Sequence, residues 1–145
     1  MNRRNSLGIL ALLVVSPISF AEDAAKAELK KLEGTWQLVS AVTDGKPAAD
    51  DFVAKVQVII KDGKHSVRID GETAVKEIPV SVDPSTDPKS TTDTLPDGQT
   101  ILGIYKLEGD KLTSCVAKPG QERPKEFAAE AGSGLTLRVF RRVRD

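Results

Sequence analysis

The residue types that most often carry out chemistry in proteins are scarce in this 145-residue chain, which has one histidine and one cysteine. The histidine, His65, follows the turn pair Asp62-Gly63, so we expect it in solvent, and no serine or cysteine nucleophile motif accompanies it. A structural zinc site needs about four ligands, more than these two residues supply. No glycine-rich phosphate loop follows a predicted strand. We therefore predict a protein that is not an enzyme and has no catalytic residues, no metal and no cofactor.

The remaining candidates for chemistry have structural explanations. Asp50 and Asp51 are adjacent at a predicted turn, where Asp50 is expected to cap one helical turn within residues 49–55. The aspartates of residues 83–93 lack the turn glycine and the closing glutamate of an EF-hand calcium loop. Cys115 is alone, so it forms no internal disulfide, and its apolar neighbours indicate a small buried side chain rather than a reactive thiol.

The N-terminal residues have the pattern of a secretory signal peptide. Arg3 and Arg4 precede an apolar run over residues 7–15, and the small residues Ser19 and Ala21 precede the predicted cut. The run is far shorter than the ~20 residues that span a bilayer, so we expect no stable membrane insertion. The sequence therefore predicts that residues 1–21 are removed and that the mature protein is exported to the periplasm or the extracellular space.

The mature part, residues 22–145, has the size of one domain with one core. Removing Arg3 and Arg4 from the 21 basic residues leaves 19 against 21 acidic residues, a formal net charge of −2. A charge this small does not recruit nucleic acid, and no basic face with interleaved aromatic residues is present. The four arginines of residues 138–144 alternate with apolar residues, which favours a strand with one solvated, charged side.

Sequence periodicity predicts a short helix followed by strands. Residues 22–33 are rich in alanine and lysine, which indicates an amphipathic helix that Gly34 ends. Apolar and polar residues then alternate from Trp36, as they do along a strand. Residues 56–69 contain two β-rich arms around Asp62-Gly63, the signature of a hairpin with a type I′ turn.

The rest of the chain continues in short strands. Pro79 cannot donate a ladder hydrogen bond, so its strand is expected at a sheet edge or with a bulge. Residues 84–100 form a polar loop that we expect to be mobile or, alternatively, functional. In the last strand Leu137 and Val139 share the apolar face. About seven to eight strands at hairpin spacing predict an all-β fold, a small antiparallel up-and-down barrel over residues 34–145.

Four segments of the chain carry a resemblance to a known family. They are LEGTWQLVSAVTDGKP, GIYKLEGDKLTSCVA, ERPKEF and LRVFRRV, and together they cover most of residues 32–143. Their order and spacing resemble a family of uncharacterised exported proteins that is abundant in planctomycetes and described as lipocalin-like. Where that family places an apolar residue and an aspartate after a Pro-Lys pair, Pro88-Lys89 leads into polar residues. The resemblance implies a lipocalin-like barrel and, as in the wider lipocalin superfamily, binding of small apolar molecules; it supplies no activity that can be carried over.

The same resemblance implies how the barrel closes. In lipocalin-type barrels the tryptophan of a Gly-x-Trp motif packs across the closed end, often beneath an arginine of the last strand. The resemblance therefore implies a closure site of Gly34, Trp36 and Arg142, with Arg141 as the second choice. A guanidinium over an indole contributes roughly 0.5 to 2 kcal/mol. Alternatively, Trp36 is a large core residue without such a contact.

We expect the barrel to bind a small, partly apolar ligand. The candidate lining residues are those expected on inward faces: Val58, Ile60, Val67, Ile69, Val80 and Tyr105. The alternative is a non-catalytic protein-interaction or structural module of the cell envelope that presents residues 123–127. We expect those residues instead to pack Phe127 into the barrel end as a lid. Short strands can also be filled by their own side chains, so the space left inside the barrel separates the two functions.

Overall fold

The computed structural model describes Gly8, Ala11 and residues 17–144. In chain order the elements are α1 (Pro17–Leu32), β1 (Gly34–Thr43), β2 (Lys46–Pro47), α2 (Asp50–Val53), β3 (Val56–Lys61), β4 (Lys64–Ile69), β5 (Glu72–Asp83), β6 (Lys89–Thr94), β7 (Thr100–Glu108), β8 (Lys111–Val116) and β9 (Thr136–Arg142). The predicted signal peptide lies outside the described residues, apart from Gly8, Ala11 and the start of α1.

Eight of the strands close into one antiparallel barrel. β1 pairs with β3, each later strand pairs with the next, and β9 returns to β1 through seven residue pairs between Trp36–Arg142 and Thr43–Thr136. β2 is a short extra strand beside β1. Closure gives β1 and β9 partners that an open sheet of this length would leave exposed at its edges. The predicted all-β up-and-down barrel is confirmed.

Three Asp-Gly pairs turn the chain between neighbouring strands. Their φ angles are 51° and 78° at Asp44-Gly45, 52° and 72° at Asp62-Gly63, and 56° and 81° at Asp70-Gly71. A type I′ hairpin turn requires positive φ at both central residues, which aspartate and glycine adopt more readily than most residues. The hairpin predicted at Asp62-Gly63 is confirmed, and the same turn chemistry joins β1 to β2 and β4 to β5.

Bulges bend two of the strands. In β1 the register with β9 shifts between Leu38 and Ser40. In β5 the register with β4 shifts at residues 76–77, where Glu77 has a φ of 51°. Pro79 lies two residues further on and pairs with Lys64 inside the closed barrel. Of the two expectations for this strand, the bulge is right and the sheet edge is wrong.

Helix α1 covers the end of the barrel at which β1 begins. It starts at Pro17, earlier than the predicted 22, and ends at Leu32. Leu32 joins the core with residues from the barrel strands and α2: Trp36, Leu38, Val53, Val56, Val82, Tyr105, Leu112 and Phe140. No helix among the described residues has both the length and the apolar character that crossing a membrane requires.

Two local expectations are corrected. The segment predicted as a polar loop contains β6, whose polar side chains have partners: the Arg123 guanidinium donates to the Thr92 hydroxyl at 3.1 Å, and the Ser90 and Thr86 hydroxyls are 2.9 Å apart. Asp50 does not cap α2. The residue before the helix is Ala49, which has no capping side chain, and Asp50 is the first helical residue.

Residues 117–135, which we call the flap, fold against the outer face of the barrel. The Cys115 Sγ donates to the Ala128 carbonyl at 3.4 Å and is fully buried, so the predicted buried cysteine is confirmed. The Phe127 ring lies 5.0 Å from the Lys106 ammonium, on the outside of β7. The expected lid over the barrel end is therefore wrong, because Arg123 ties the flap to the carbonyls of Thr91 and Gly103 in the barrel wall.

Candidate functional site

The inward face of β9 connects the two halves of the barrel interior. Phe140 is buried in the core and pairs with Leu38 and Leu112, so its side chain points inward. Arg138 and Arg142, two residues before and after Phe140, share that face because side chains alternate along a strand. Leu137 and Val139 point outward. Leu137 and Val139 thus share one face, as expected, but the expectation of a solvated charged side is wrong, because Arg138 and Arg142 are turned toward the interior.

Arg142 seals the end of the barrel covered by α1. Its guanidinium lies 4.3 Å from the centre of the Trp36 ring and donates to the carbonyls of Lys31 at 2.7 Å and Glu33 at 2.5 Å. The Trp36 indole nitrogen donates to the Leu32 carbonyl at 2.9 Å, and the residue has 0% exposure. At Gly34 a side chain would begin 2.8 Å from the guanidinium, so glycine is needed for this close approach.

Of the two arginines considered for closure, Arg142 therefore makes the contact with the indole. Arg141 points to the outside of the barrel and is exposed. The arrangement joins the first strand, the last strand and the end of α1 through one guanidinium whose donors are paired with carbonyl oxygens.

A buried carboxylate fastens α1 to the barrel at the same end. Glu28 Oε1 accepts from the Lys89 ammonium at 2.8 Å and from the Tyr105 hydroxyl at 3.0 Å. Burial alone would raise the pKa of Glu28, but these two hydrogen bonds outweigh it and hold the pKa below its usual 4.5. Burial and the neighbouring carboxylate raise the pKa of Tyr105. Tyr105, predicted to line a ligand site, therefore belongs to the sealed end.

The other half of the interior holds three titratable side chains. His65 pairs with Ile60 and Ile78, Asp93 with Val80 and Ile101, and Arg138 with Ala41 and Ser114. The strand register turns all three side chains inward. His65 Nδ1 lies 3.8 Å from Asp93 Oδ2, and each of these two side chains is 19% exposed.

His65 is therefore not the surface histidine that the sequence predicts. It comes directly after a hairpin turn, yet the register of β4 points it at the interior. Burial lowers the pKa of His65 below 6.5; the Asp93 carboxylate opposes this shift and the Arg138 guanidinium adds to it. Burial also raises the pKa of Asp93, against the influence of His65 and Arg138.

Arg138 has neither a hydrogen bond nor an ion pair with any residue that the structure describes. Protein surrounds it on nearly every side, and this burial lowers the pKa of its guanidinium while Asp93 opposes the shift. Part of the Arg138 surface nevertheless remains accessible to solvent, so the residue is half-buried. Both observations are satisfied if Arg138 lines a space inside the barrel rather than the packed core.

The apolar residues predicted to line a ligand site face the same interior. Val58, Ile60, Val67 and Ile69 pack against the edge of the core and are half-buried. Val80, opposite Asp93, is also half-buried. Val75 pairs with Val67 at the β4–β5 hairpin and is 38% exposed. The inward face thus meets solvent near this hairpin, whereas the end covered by α1 is sealed.

Two further depressions lie on the outside of the barrel. The larger, of about 990 Å³, runs between the flap and the β1–β2 turn and is lined mainly by polar and charged residues, among them Lys118, Glu122 and Lys125. The smaller, of about 330 Å³, lies over the outer faces of β3 to β5. Within the described residues no group of His, Cys, Asp and Glu side chains has an arrangement that would hold a metal ion.

The interior brings apolar and polar side chains together on one inward face. It offers an apolar wall, one charged guanidinium with free donors and an imidazole–carboxylate pair, with Thr91 and Ser114 hydroxyls on the same inward face. The sequence identified the wall but missed Arg138, Asp93 and His65. The signal for Arg138 was its spacing of two from Phe140 and four from Arg142, which places all three on one face. Comparison of the chain with protein-family models, with curated proteins and with solved structures finds no match.

Proposed function

We propose that this protein is a binding protein that holds a small molecule with an apolar body in the half of its barrel away from α1. One observation carries the proposal: Val67, Ile69 and Val80, which face inward in that half, keep accessible surface. At the other end Trp36, Tyr105 and Phe140 have almost none. Apolar side chains that face inward and remain accessible gain free energy when an apolar molecule covers them. A barrel of about eight strands is wide enough to hold one small ligand.

The polar side chains of this half support binding of an amphipathic molecule. Ligand sites are commonly apolar clefts with a few polar groups that fix orientation. Val67 and Val80 supply apolar wall, and Arg138 and Asp93 supply the polar groups. The proposed role of the imidazole–carboxylate pair is to provide polar groups within an otherwise apolar site.

We also propose that the mature protein begins at Glu22 and is exported. The α1 side chains that contact the barrel, Glu28, Leu29 and Leu32, all follow the proposed cut, and Phe20 before it is 67% exposed. Removal of residues 1–21 therefore leaves the sealed end intact. The intact mass of protein recovered from the envelope or the medium should start at Glu22, and a full-length mass there would contradict the proposal.

The test of binding uses a fluorescent apolar probe, the methyl ester of a dansylated undecanoic acid. Titration into the protein should give saturable fluorescence enhancement. Val67→Phe fills the interior and should weaken binding by about tenfold or more, since an added ring displaces ligand volume. The matched control is Val39→Phe, because Val39 is 49% exposed at the β1 bulge.

Equal binding by both variants, or no saturable binding by the natural sequence, would contradict the proposal. It would then favour the alternative, a non-catalytic interaction or structural module of the cell envelope that uses the outside of the barrel. Native mass spectrometry of protein purified from its own host gives an independent readout, because a binding barrel should carry a small molecule with it.

A further inference from the structure

We propose that Arg138 is the anchor for a carboxylate group, so that the molecule held in the barrel is an amphipathic monocarboxylate with an aliphatic body. This inference rests on the proposed function, because it names the chemical class of ligand for the same interior site. It assigns to Arg138 the role of a specificity-determining residue.

Arg138 has unused hydrogen-bonding capacity. A guanidinium has five N–H donors in a fixed plane and no acceptor. Two other arginines use their donors: Arg142, at the sealed end, bonds to two carbonyls at the end of α1, and Arg123, in the flap, bonds to two carbonyls and the Thr92 hydroxyl. Arg138 has no such partner among the described residues, although it is half-buried on the inward face of β9.

Keeping the Arg138 charge without a partner costs free energy. An enclosed charge without a partner is costly, since the protein replaces little of the hydration that the charge has lost. The nearest carboxylate, Asp93, influences Arg138 electrostatically but lies beyond ion-pair distance. Asp93 lies instead beside His65, with 3.8 Å between Oδ2 and Nδ1. A charge kept at such a cost, facing an accessible space, is the arrangement expected of a site completed by a ligand.

A carboxylate suits Arg138 better than a phosphate monoester does. A carboxylate matches the planar fork of a guanidinium with two parallel hydrogen bonds. A phosphate monoester carries nearly two charges and would meet one guanidinium together with Asp93, which leaves excess negative charge in an enclosed site. Burial raises the pKa of Asp93, which reduces its repulsion of a single bound carboxylate. One arginine therefore favours a monoanion.

The polar groups near Arg138 are surrounded by aliphatic side chains. Val80 and Ile101 flank Asp93, and Ile60 and Ile78 flank His65, so the polar groups are set in an aliphatic wall. The half-buried valines continue from there toward the exposed Val75. A ligand with its carboxylate at Arg138 would lay an aliphatic body along this wall and reach solvent at the β4–β5 hairpin.

The experiment compares the dansylated undecanoic acid with its methyl ester, which differ only at the proposed anchor group. The natural sequence should bind the acid at least tenfold more tightly than the ester. Arg138→Met, which removes the charge and keeps the length, should weaken binding of the acid by at least tenfold and leave binding of the ester unchanged. The matched control is Arg141→Met, because Arg141 is the outward, exposed arginine of the same strand.

Each outcome decides between the claims. Acid and ester bound equally by the natural sequence would overturn the anchor while leaving the proposed function standing, and this comparison needs no variant to fold. Equal weakening of acid and ester by Arg138→Met would show a structural role and would also overturn the anchor. Failure of the natural sequence to bind either probe would contradict the proposed function itself. Arg138→Lys, which keeps the charge but not the planar fork, should recover part of the acid's affinity.

Discussion

Arg142 and Arg138 lie four residues apart on the same inward face of β9. They differ in whether the fold supplies hydrogen-bond partners for the guanidinium. Arg142 stacks on an indole and donates to two backbone carbonyls. Arg138 has no partner among the described residues and is half-buried on the inward face of β9. The first arginine is part of the structure that closes the barrel. The second has the features of a residue kept for a ligand.

The two ends of the interior differ in the same way. At the end covered by α1 the inward polar groups are paired: Glu28 is held by Lys89 and Tyr105, and the Trp36 indole and the Arg142 guanidinium donate to carbonyls. In the other half, the polar groups are few, close together and incompletely paired. The chemical type of an inward residue therefore does not decide whether it serves the structure or a ligand. What decides it is whether the fold supplies a partner, since an unsatisfied enclosed group destabilises the protein unless something binds it.

The largest effect is expected at the sealed end. Trp36→Ala removes a fully buried indole and its contacts to Arg142 and Leu32, so the free energy of unfolding should fall by about 3 to 5 kcal/mol. Urea unfolding followed by circular dichroism measures it, since the substitution removes the only tryptophan. Arg142→Ala should cost less, and a double-mutant cycle should show coupling above ~0.5 kcal/mol. A coupling of zero would mean that the stacked geometry does not stabilise closure.

The next effect concerns the buried carboxylate. Glu28→Ala leaves the Tyr105 hydroxyl and the Lys89 ammonium without their shared acceptor, and should cost about 2 kcal/mol. Glu22→Ala, on an exposed turn of the same helix, is the control. Because the native pKa of Glu28 is below its usual 4.5, the stabilisation is complete above that pH and is lost as the pH falls through the native pKa. Unfolding curves of the two variants should therefore converge in acid.

The opposite sign is expected at Arg138. Arg138→Met removes an enclosed, unpartnered charge and should raise the free energy of unfolding by about 1 to 2 kcal/mol. Arg141→Met should change it by less than about 0.5 kcal/mol, as for an ordinary surface substitution. Stabilisation together with lost binding would match the trade between function and stability seen at many ligand sites. Clear destabilisation would show that Arg138 has a structural partner and would erase the contrast with Arg142.

The smallest effect is a shift in titration. The single imidazole of the chain should titrate below 6.5 in proton NMR, because burial and the nearby guanidinium disfavour its charged form. The unfolded chain then binds protons more readily than the native protein, so stability should fall as the pH drops below about 6.5. Arg138→Met removes the nearby cation and should raise the pKa of His65. An unchanged pKa in that variant would place the two side chains too far apart to interact.

The sequence predicted the elements that follow simple rules of local geometry. The Asp-Gly turn at residues 62–63 and the alternation that begins at Trp36 both concern neighbouring residues, and both appear in the structure. The resemblance supplied the pair Trp36 and Arg142, which no local rule provides. The burial of Cys115 followed from its residue type and its apolar neighbours.

The wrong predictions for β9 and β6 arose because the inner and outer faces of the strands were assigned from the polarity of their residues. The arginine side of β9 was expected to be solvated because it is charged, but Arg138 and Arg142 face the interior. The flap covers part of the outer face, so the apolar Leu137 is also stable there. β6 was missed because Lys89–Thr94 has no apolar residue. Its outward Thr92 accepts from the flap, and its inward Lys89 and Asp93 lie beside the charged or titratable groups Glu28 and His65. Where a strand is covered on both faces, polarity alone does not tell the inside from the outside.

The strands that close the barrel are far apart along the chain. Arg142 donates to the carbonyl of Glu33, 109 residues earlier, so the sheet cannot close until almost the whole domain is available. Contacts at such a sequence separation carry a large loop-closure cost, and barrels of this kind refold in about milliseconds to seconds. Until β9 arrives, the free edges of β1 and β8 are open to strands of other chains. A chain that stops before Thr136 should therefore self-associate, which light scattering of the truncated protein would detect.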